Sequence, residues 1–146
     1  MRSFVLATLV VVVAAATFVA GSSASAGSQA TLTVRSSKYG SILFDGKGRA
    51  LYAFTRDRRG GPSRCYGACA QKWPVYFSGG RLVAGKGVKR SLIGTTKRRD
   101  GRRQITYNGR PLYYYNADKI GQVLCQGVAE FGGTWLVVRP SGALVR

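Results

Sequence analysis

The chain has 146 residues with 23 Lys and Arg against five Asp and Glu, no His, and a formal net charge of +18. The lack of histidine removes the commonest general base and the commonest zinc ligand, so any catalysis would rest on Asp, Glu, Cys, Lys or Tyr. Such a charge predicts a positive field that attracts polyanions; the alternative is a solubilising role alone.

The first residues predict a secretory signal peptide. Arg2 precedes an almost purely apolar run, residues 4–20, and the Ala-Ser-Ala of residues 24–26 fits a cleavage site before Gly27. An uncleaved anchor is the alternative, but a run of about 17 residues is short for a bilayer. We therefore expect a secreted mature chain of 120 residues with a charge of +17 and no lipid anchor, since no Cys lies near the junction.

After a predicted lead-in, residues 27–38, short apolar segments alternate with Gly-rich turns. The dipeptides Asp45-Gly46, Asp100-Gly101 and Asn108-Gly109 between such segments are strong hairpin signals, because these residues tolerate positive φ. No segment has a sustained apolar period of 3.6, so only one helical turn, near residues 66–72, is expected. Residues 39–146 are predicted to form a single β domain.

The segment GRALYAFTRD, residues 48–57, returns as GRPLYYYNAD, residues 109–118. A Gly/Cys loop and a Trp-bearing segment follow each copy. One hairpin alone cannot bury its apolar face, whereas two related units packed together can. We therefore predict an all-β fold with little helix: an antiparallel sandwich or small barrel made of two pseudo-twofold repeats, about 39–78 and 94–142.

The alternation of side chains along the two motif strands predicts which residues share a face. Leu51 and Leu112 should lie at equivalent buried positions, and the motif aromatics should lie on the opposite face. Since both faces are apolar, these strands are expected to be central. Trp73 and Trp135 are expected to belong to the core.

The repeated motif resembles the signature Y-x-[FWY]-x-x-D of a bacterial family of secreted or lipid-anchored repeats of unknown function. The resemblance extends to C-x-G-x-C-A before Trp73-Pro74 and to the segment that begins at Asp100-Gly101. It implies export and no established activity. The extra thiol of Cys125 and the absence of a lipid-attachment Cys depart from the family pattern. The motif residues are Tyr52, Phe54, Asp57, Tyr113, Tyr115 and Asp118.

The two motif aspartates have three possible roles. Asp57 and Asp118 form a symmetric pair that would suit acid–base or glycosidic chemistry, or would bind a cation. The structural interpretation is that each carboxylate accepts backbone N–H groups in the turn after its strand. Their position three residues past the second aromatic favours the structural interpretation. No catalytic residue, metal or cofactor is predicted.

The densest basic cluster surrounds the predicted Asp100-Gly101 turn. Its cations would project from the hairpin tip and grip phosphate or sulfate groups, beside a stacking tyrosine. A solvated hairpin is the alternative. The predicted polyanion-binding residues are Lys97, Arg98, Arg99, Arg102, Arg103 and Tyr114.

Three cysteines leave the disulfide open on sequence grounds. A bridge from Cys65 or Cys69 to Cys125 would stabilise by about 4 kcal/mol in the chain-entropy model, and a local Cys65–Cys69 bridge by about 2 kcal/mol. The family resemblance implies the local pair and leaves Cys125 over. The C-x3-C spacing does not fit a thioredoxin-like motif.

The function expected from these features is that of a secreted, non-enzymatic β domain of the cell surface or extracellular space. Its expected ligand is an anionic wall polymer, an acidic polysaccharide or a nucleic acid. Two alternatives remain: a glycosidase that uses Asp57 and Asp118, and a redox or electron-transfer accessory that uses Tyr, Trp and Cys.

Overall fold

The computed structural model describes residues 29–146. The predicted signal peptide and its cleavage site before Gly27 lie outside these residues. Among the described residues, no helix is long and apolar enough to span a membrane. The elements in chain order are β1 (Leu32–Ser37), β2 (Gly40–Asp45), β3 (Tyr52–Phe54), α1 (Ala68–Lys72), a 3-10 turn (Arg90–Leu92), β4 (Ile93–Lys97), β5 (Arg103–Tyr107), β6 (Arg110–Tyr113), β7 (Val128–Glu130) and β8 (Gly133–Val137).

The strands form two antiparallel sheets. β1 and β2 make a hairpin, and the other six strands form a sheet in the order β4-β5-β6-β3-β8-β7. Within residues 29–146 the fold is therefore all-β, as predicted, with one short α-helix, α1, where one helical turn was expected. Across residues 29–146 this sheet ends in two unpaired edges, β4 and β7, so the sandwich rather than the small barrel describes the fold.

The two sequence repeats are joined through their motif strands. β3 and β6 lie side by side at the centre of the large sheet, with Tyr52 directly opposite Tyr113. Equivalent residues face each other across an antiparallel pair, so a local pseudo-twofold axis passes between them. The central position of both strands confirms the prediction made from their two apolar faces.

Each Trp-bearing segment pairs with the motif strand of the other repeat. In β8 of the second repeat, Val137 lies opposite Tyr52, and in the first repeat Val75 forms a bridge with Tyr113. The Tyr114 N–H also donates to the Pro74 carbonyl. The two repeats are thus intertwined, and neither completes its own sheet.

Two buried clusters lie on opposite faces of the central strands. One holds the motif aromatics and both tryptophans, and the other holds Leu51 and Leu112. Both leucines are fully buried, which confirms their predicted equivalence. The boundary predicted at residue 39 is wrong, because β1 lies in the segment assigned to the lead-in and pairs along its length with β2.

Candidate functional site

The repeated motif forms hydrogen bonds that are exchanged between the two copies. The Tyr52 hydroxyl donates to Asp118 at 2.6 Å, and the Tyr113 hydroxyl donates to Asp57 at 2.5 Å. Each bond joins the tyrosine of one copy to the aspartate of the other. The exchange follows from the pairing of β3 with β6, which brings each tyrosine towards the end of the neighbouring copy's motif.

Each motif aspartate also closes the loop that follows it. Asp57 Oδ1 accepts the Arg64 N–H at 2.7 Å, and Asp118 Oδ1 accepts the Leu124 N–H at 3.0 Å. This confirms the structural interpretation of the two carboxylates. Burial is the main cause that raises the pKa of both, although hydrogen bonds to each carboxylate act in the opposite direction.

The motif aromatics build a stack that crosses the pseudo-twofold axis. The Trp73 and Trp135 rings are parallel with their centroids 4.0 Å apart. Phe54 stacks on Trp135 at 4.2 Å, and Tyr115 lies 5.0 Å from Trp73. Each second motif aromatic therefore packs on the tryptophan of the other copy. Both tryptophans are fully buried, as predicted.

The stack is less symmetric at its polar edges. The Trp73 indole N–H donates to Glu130, which is also paired with Lys72, whereas the Trp135 indole N–H has no partner among the described residues. The lysine bond lowers the pKa of Glu130. The Cys125 thiol forms no disulfide within residues 29–146 and is half-buried. Its hydrogen bond with Tyr115 raises the pKa of the tyrosine hydroxyl.

All five carboxylates of the chain form internal bonds. Two accept the exchanged tyrosines, and Asp45 accepts the Tyr114 hydroxyl and the N–H groups of its own turn. The remaining two form the only ion pairs within residues 29–146, Lys72–Glu130 and Arg102–Asp100. Most of the cations within residues 29–146 therefore have no carboxylate partner.

Unpaired cations converge on a cleft of about 570 Å³ between the first copy's loop and the turn of the second copy's first hairpin. Residues 57–64, here named the copy-1 loop, form one wall, and residues 97–99 form another. No carboxylate lines this basic cleft. Its lining residues are Arg56, Pro62, Ser63, Arg64, Tyr66, Lys97, Arg98 and Arg99.

Arg98 is the buried anchor of the basic cleft. Its side chain is 5% exposed, and its guanidinium donates to Ser63 Oγ, the Cys65 carbonyl and Gln104 Oε1 at 2.7–2.8 Å. The prediction that Arg98 projects from a solvated hairpin tip is wrong. Arg98 lies two residues beyond Thr96, which pairs with Gln104. Because alternate residues along a strand share a face, the side chains of Arg98 and Gln104 lie on the same, inward face of the hairpin.

Tyr66 lies beside the buried arginine and completes the cleft. The Cζ atoms of Arg98 and Arg99 are 4.2 and 4.5 Å from the centre of its ring. Tyr66 sits inside the short loop closed by the Cys65–Cys69 disulfide, the local pair that the family resemblance implied. The disulfide thereby limits how far the aromatic side chain can move from the two arginines.

The other predicted polyanion-binding residues lie away from this cleft. Arg102 and Arg103 line a second cleft, in which Arg102 covers the ring of Phe77, and Arg102 also pairs with Asp100. Tyr114 lines neither cleft, because its hydroxyl is bonded to Asp45 and its ring lies under Arg49. The six predicted residues therefore do not form one site.

Sequence reasoning missed the half of the basic cleft that the first copy supplies. Arg56, Arg64 and Tyr66 are more than 30 residues from the predicted hairpin in the chain. A signal was present, since Arg56, Arg58, Arg59 and Arg64 are concentrated around one motif aspartate. Only the exchanged packing shows that two members of this cluster, Arg56 and Arg64, face residues 97–99.

The second copy has a cleft in the pseudo-equivalent place. Residues 118–124, here named the copy-2 loop, are closed by Asp118 as the copy-1 loop is closed by Asp57. The loop lies against the turn between β1 and β2 and bounds a cleft of about 310 Å³. This cleft, here named the apolar cleft, is lined by Ser37, Lys38, Gly121, Gln122, Val123 and Leu124.

The duplicated motif, its exchanged bonds and the two loop closures agree with the comparison with known families. A family model described as a secreted repeat of unknown function matches residues 33–76 and 94–139. The chain belongs to this family. The two matched segments, here named copy 1 and copy 2, are the secreted repeats, and their family supports an extracellular location. No curated protein and no solved structure matches the chain.

Proposed function

We propose that this secreted repeat protein is a non-enzymatic module that binds an extracellular polyanion in its basic cleft. The observation that carries the proposal is the lining of the cleft by five cations and no carboxylate. Arg56, Arg64, Lys97 and Arg99 are exposed and form no ion pair within residues 29–146. They are available to phosphate, sulfate or carboxylate groups of a polymer.

The buried arginine supports a preformed site. Arg98 is held by three hydrogen bonds, and the ring of Tyr66 lies within 4.5 Å of the guanidinium carbons of Arg98 and Arg99. A positive wall that is fixed before the ligand arrives avoids the entropic cost of ordering it on binding. The net charge of the chain would also raise the rate at which a polyanion meets the cleft.

The engaged carboxylates favour binding over hydrolysis as the function. A glycosidase needs two carboxyl groups that face one substrate bond. Asp57 and Asp118 are each bonded to a buried tyrosine and to a loop N–H, and neither lines the basic cleft. We propose that their role is to hold the two copies together.

The direct test is the salt dependence of binding to three defined polymers: polyglycerol phosphate, hyaluronate and DNA. The cleft variant carries Arg56→Gln, Arg64→Gln, Lys97→Gln and Arg99→Gln, all at exposed positions. The control variant removes the same charge elsewhere, with Lys86→Gln, Lys89→Gln, Arg90→Gln and Arg146→Gln, which are exposed and line none of the clefts described above. Thermal unfolding confirms that both variants fold.

We expect the cleft variant to bind more weakly and with a flatter salt dependence. For DNA, each lost phosphate contact lowers the slope of log affinity against log salt by about 0.7–0.9, so four contacts would remove about 3 units. The control should lose much less. Equal losses of affinity in the two variants, or no loss in either, would contradict specific binding in the basic cleft.

A further inference from the structure

We propose that the copy-2 loop is a membrane-contact surface that inserts Ile120 and Leu124 into an anionic lipid bilayer. Three large apolar side chains are exposed among residues 29–146, and two of them project from this loop. Ile120 is 68% exposed and Leu124 is 58% exposed, which is unusual for aliphatic residues that lie so close in the chain. The inference is independent of the proposed polymer binding.

The fold does not require apolar residues at these positions. Arg59 follows Asp57 by two residues, as Ile120 follows Asp118, and the Arg64 N–H is held by Asp57 as the Leu124 N–H is held by Asp118. Copy 1 therefore places arginines where copy 2 places isoleucine and leucine. Neither Ile120 nor Leu124 belongs to the two buried clusters of residues 29–146 or packs against them.

The loop presents Ile120 on a hydrogen-bonded turn, and the N–H of Leu124 is held by Asp118. The Gln122 N–H donates to the Lys119 carbonyl, which places Ile120 at the corner, and Gly121 takes the positive φ of +76° that the turn needs. The Gly121 N–H also donates to the Gly48 carbonyl. A preformed turn loses little conformational entropy when it enters an interface.

The surroundings of the loop match an anionic bilayer in charge. Lys119 adjoins Ile120, Lys38 lines the same apolar cleft, and Lys47 adjoins the Gly48 that holds the turn; all three are exposed. The neighbouring carboxylates, Asp45 and Asp118, are buried and bonded to tyrosines. Basic residues around an apolar tip are the combination that binds anionic lipid surfaces.

Vesicle partitioning of the protein recovered from the medium of secreting cells tests this inference. The loop variant carries Ile120→Gln and Leu124→Gln, and the control carries Phe131→Asn at the third exposed apolar side chain, where Asn tolerates the φ of +55°. Neither variant changes the net charge. All three proteins must have the same N-terminus by intact mass, so that residues before 29 contribute equally.

We expect the parent to bind vesicles with one quarter phosphatidylglycerol more tightly than pure phosphatidylcholine vesicles. The loop variant should lose about tenfold or more of its partitioning into the anionic vesicles, since two aliphatic side chains no longer leave water. The control should stay within about twofold of the parent. Binding of soluble polymer at the basic cleft should be unchanged in the loop variant, which separates the two proposals.

Three results would overturn the inference. The parent fails to bind anionic vesicles, the loop variant partitions as well as the parent, or the loop and control variants lose binding equally. In the last case the apolar contact is not specific to the copy-2 loop.

Discussion

The basic cleft and the apolar cleft occupy pseudo-equivalent places beside the copy-1 loop and the copy-2 loop, yet one is basic and the other apolar. Beside the copy-1 loop, Ser63 and Gln104 accept hydrogen bonds from the buried Arg98. At the corresponding places around the copy-2 loop stand Val123, Ile42 and Ser37, and the first two belong to the apolar core. The backbone closure by the motif aspartate is the same in both.

This contrast separates the structural role of the repeated motif from the properties of the solvent-facing loop side chains. The tyrosines, aspartates and tryptophans that hold the copies together are the same in both repeats, and their bonds are exchanged across the axis. The loop side chains that face solvent are not shared. Duplication thus supplies two scaffolds of the same shape, and each is free to acquire a different ligand chemistry.

The largest expected effect concerns the shared part of the two copies. Leu51→Ala and Leu112→Ala should each lower the free energy of unfolding by about 2–5 kcal/mol, because both side chains are fully buried in the same cluster. The two losses, measured by denaturant unfolding, should agree within about 1 kcal/mol. A loss below about 0.5 kcal/mol for one of them would break the equivalence of the copies.

The polar network of the basic cleft gives the next effect. Arg98→Met leaves Gln104 Oε1 and the Cys65 carbonyl without their guanidinium donor, whereas Ser63 Oγ still accepts the Cys65 N–H, and should cost about 3 kcal/mol of stability. Adding Gln104→Ile places the residue type of the equivalent Ile42 here and should recover about 1 kcal/mol, because it removes the orphaned amide oxygen while the Leu112 carbonyl keeps the Tyr76 N–H. If the double variant is less stable than Arg98→Met alone, the two clefts are not interchangeable.

Double-mutant cycles sharpen the evidence for exchange between copies. Tyr52→Phe and Asp118→Asn should show a coupling energy of about 1–2 kcal/mol, because the hydroxyl is bonded to that carboxylate. The same-copy pair, Tyr52→Phe with Asp57→Asn, should be additive within about 0.5 kcal/mol. Coupling within the copy and additivity between copies would contradict the exchanged arrangement.

The smallest effect tests the asymmetry of the two tryptophans. The Lys72 bond lowers the pKa of Glu130 below its ordinary value of 4.5, so its contribution to stability is present above that pH and is lost as the pH falls through the lowered pKa. Glu130→Gln should lower the Tm by about 1–3 °C at neutral pH, and the difference should shrink near pH 3. A difference in Tm between parent and variant that does not change with pH would contradict an ionic contribution of Glu130 to stability.

Local patterns predicted the strands well because each depends on neighbouring residues. Asn108-Gly109 forms the expected turn, and both residues have positive φ. Asp45-Gly46 does not form a two-residue turn. Its chain reversal runs on to Arg49, because Asp45 accepts the N–H groups of Lys47 and Arg49 and the positive φ falls at Gly48.

The site was harder to predict because it depends on register and on packing between copies. The inward direction of Arg98 follows from the pairing of Thr96 with Gln104, which composition does not reveal. Likewise, Arg64 lines the same cleft as Lys97 and Arg99 only because the copy-1 loop lies against the hairpin of copy 2. A cluster of charges in the sequence indicated the ligand class but not the cleft.

The central claim is that the basic cleft beside the copy-1 loop binds the polyanion and that the equivalent apolar cleft beside the copy-2 loop does not. The most direct measurement is a titration of the isotope-labelled secreted protein with a short polyglycerol phosphate, followed by amide chemical shifts. The account predicts saturable shifts at Arg64, Tyr66 and Arg99, and none of comparable size at the equivalent Leu124 and Lys38. Equal shifts on both loops, or shifts on neither, would contradict it.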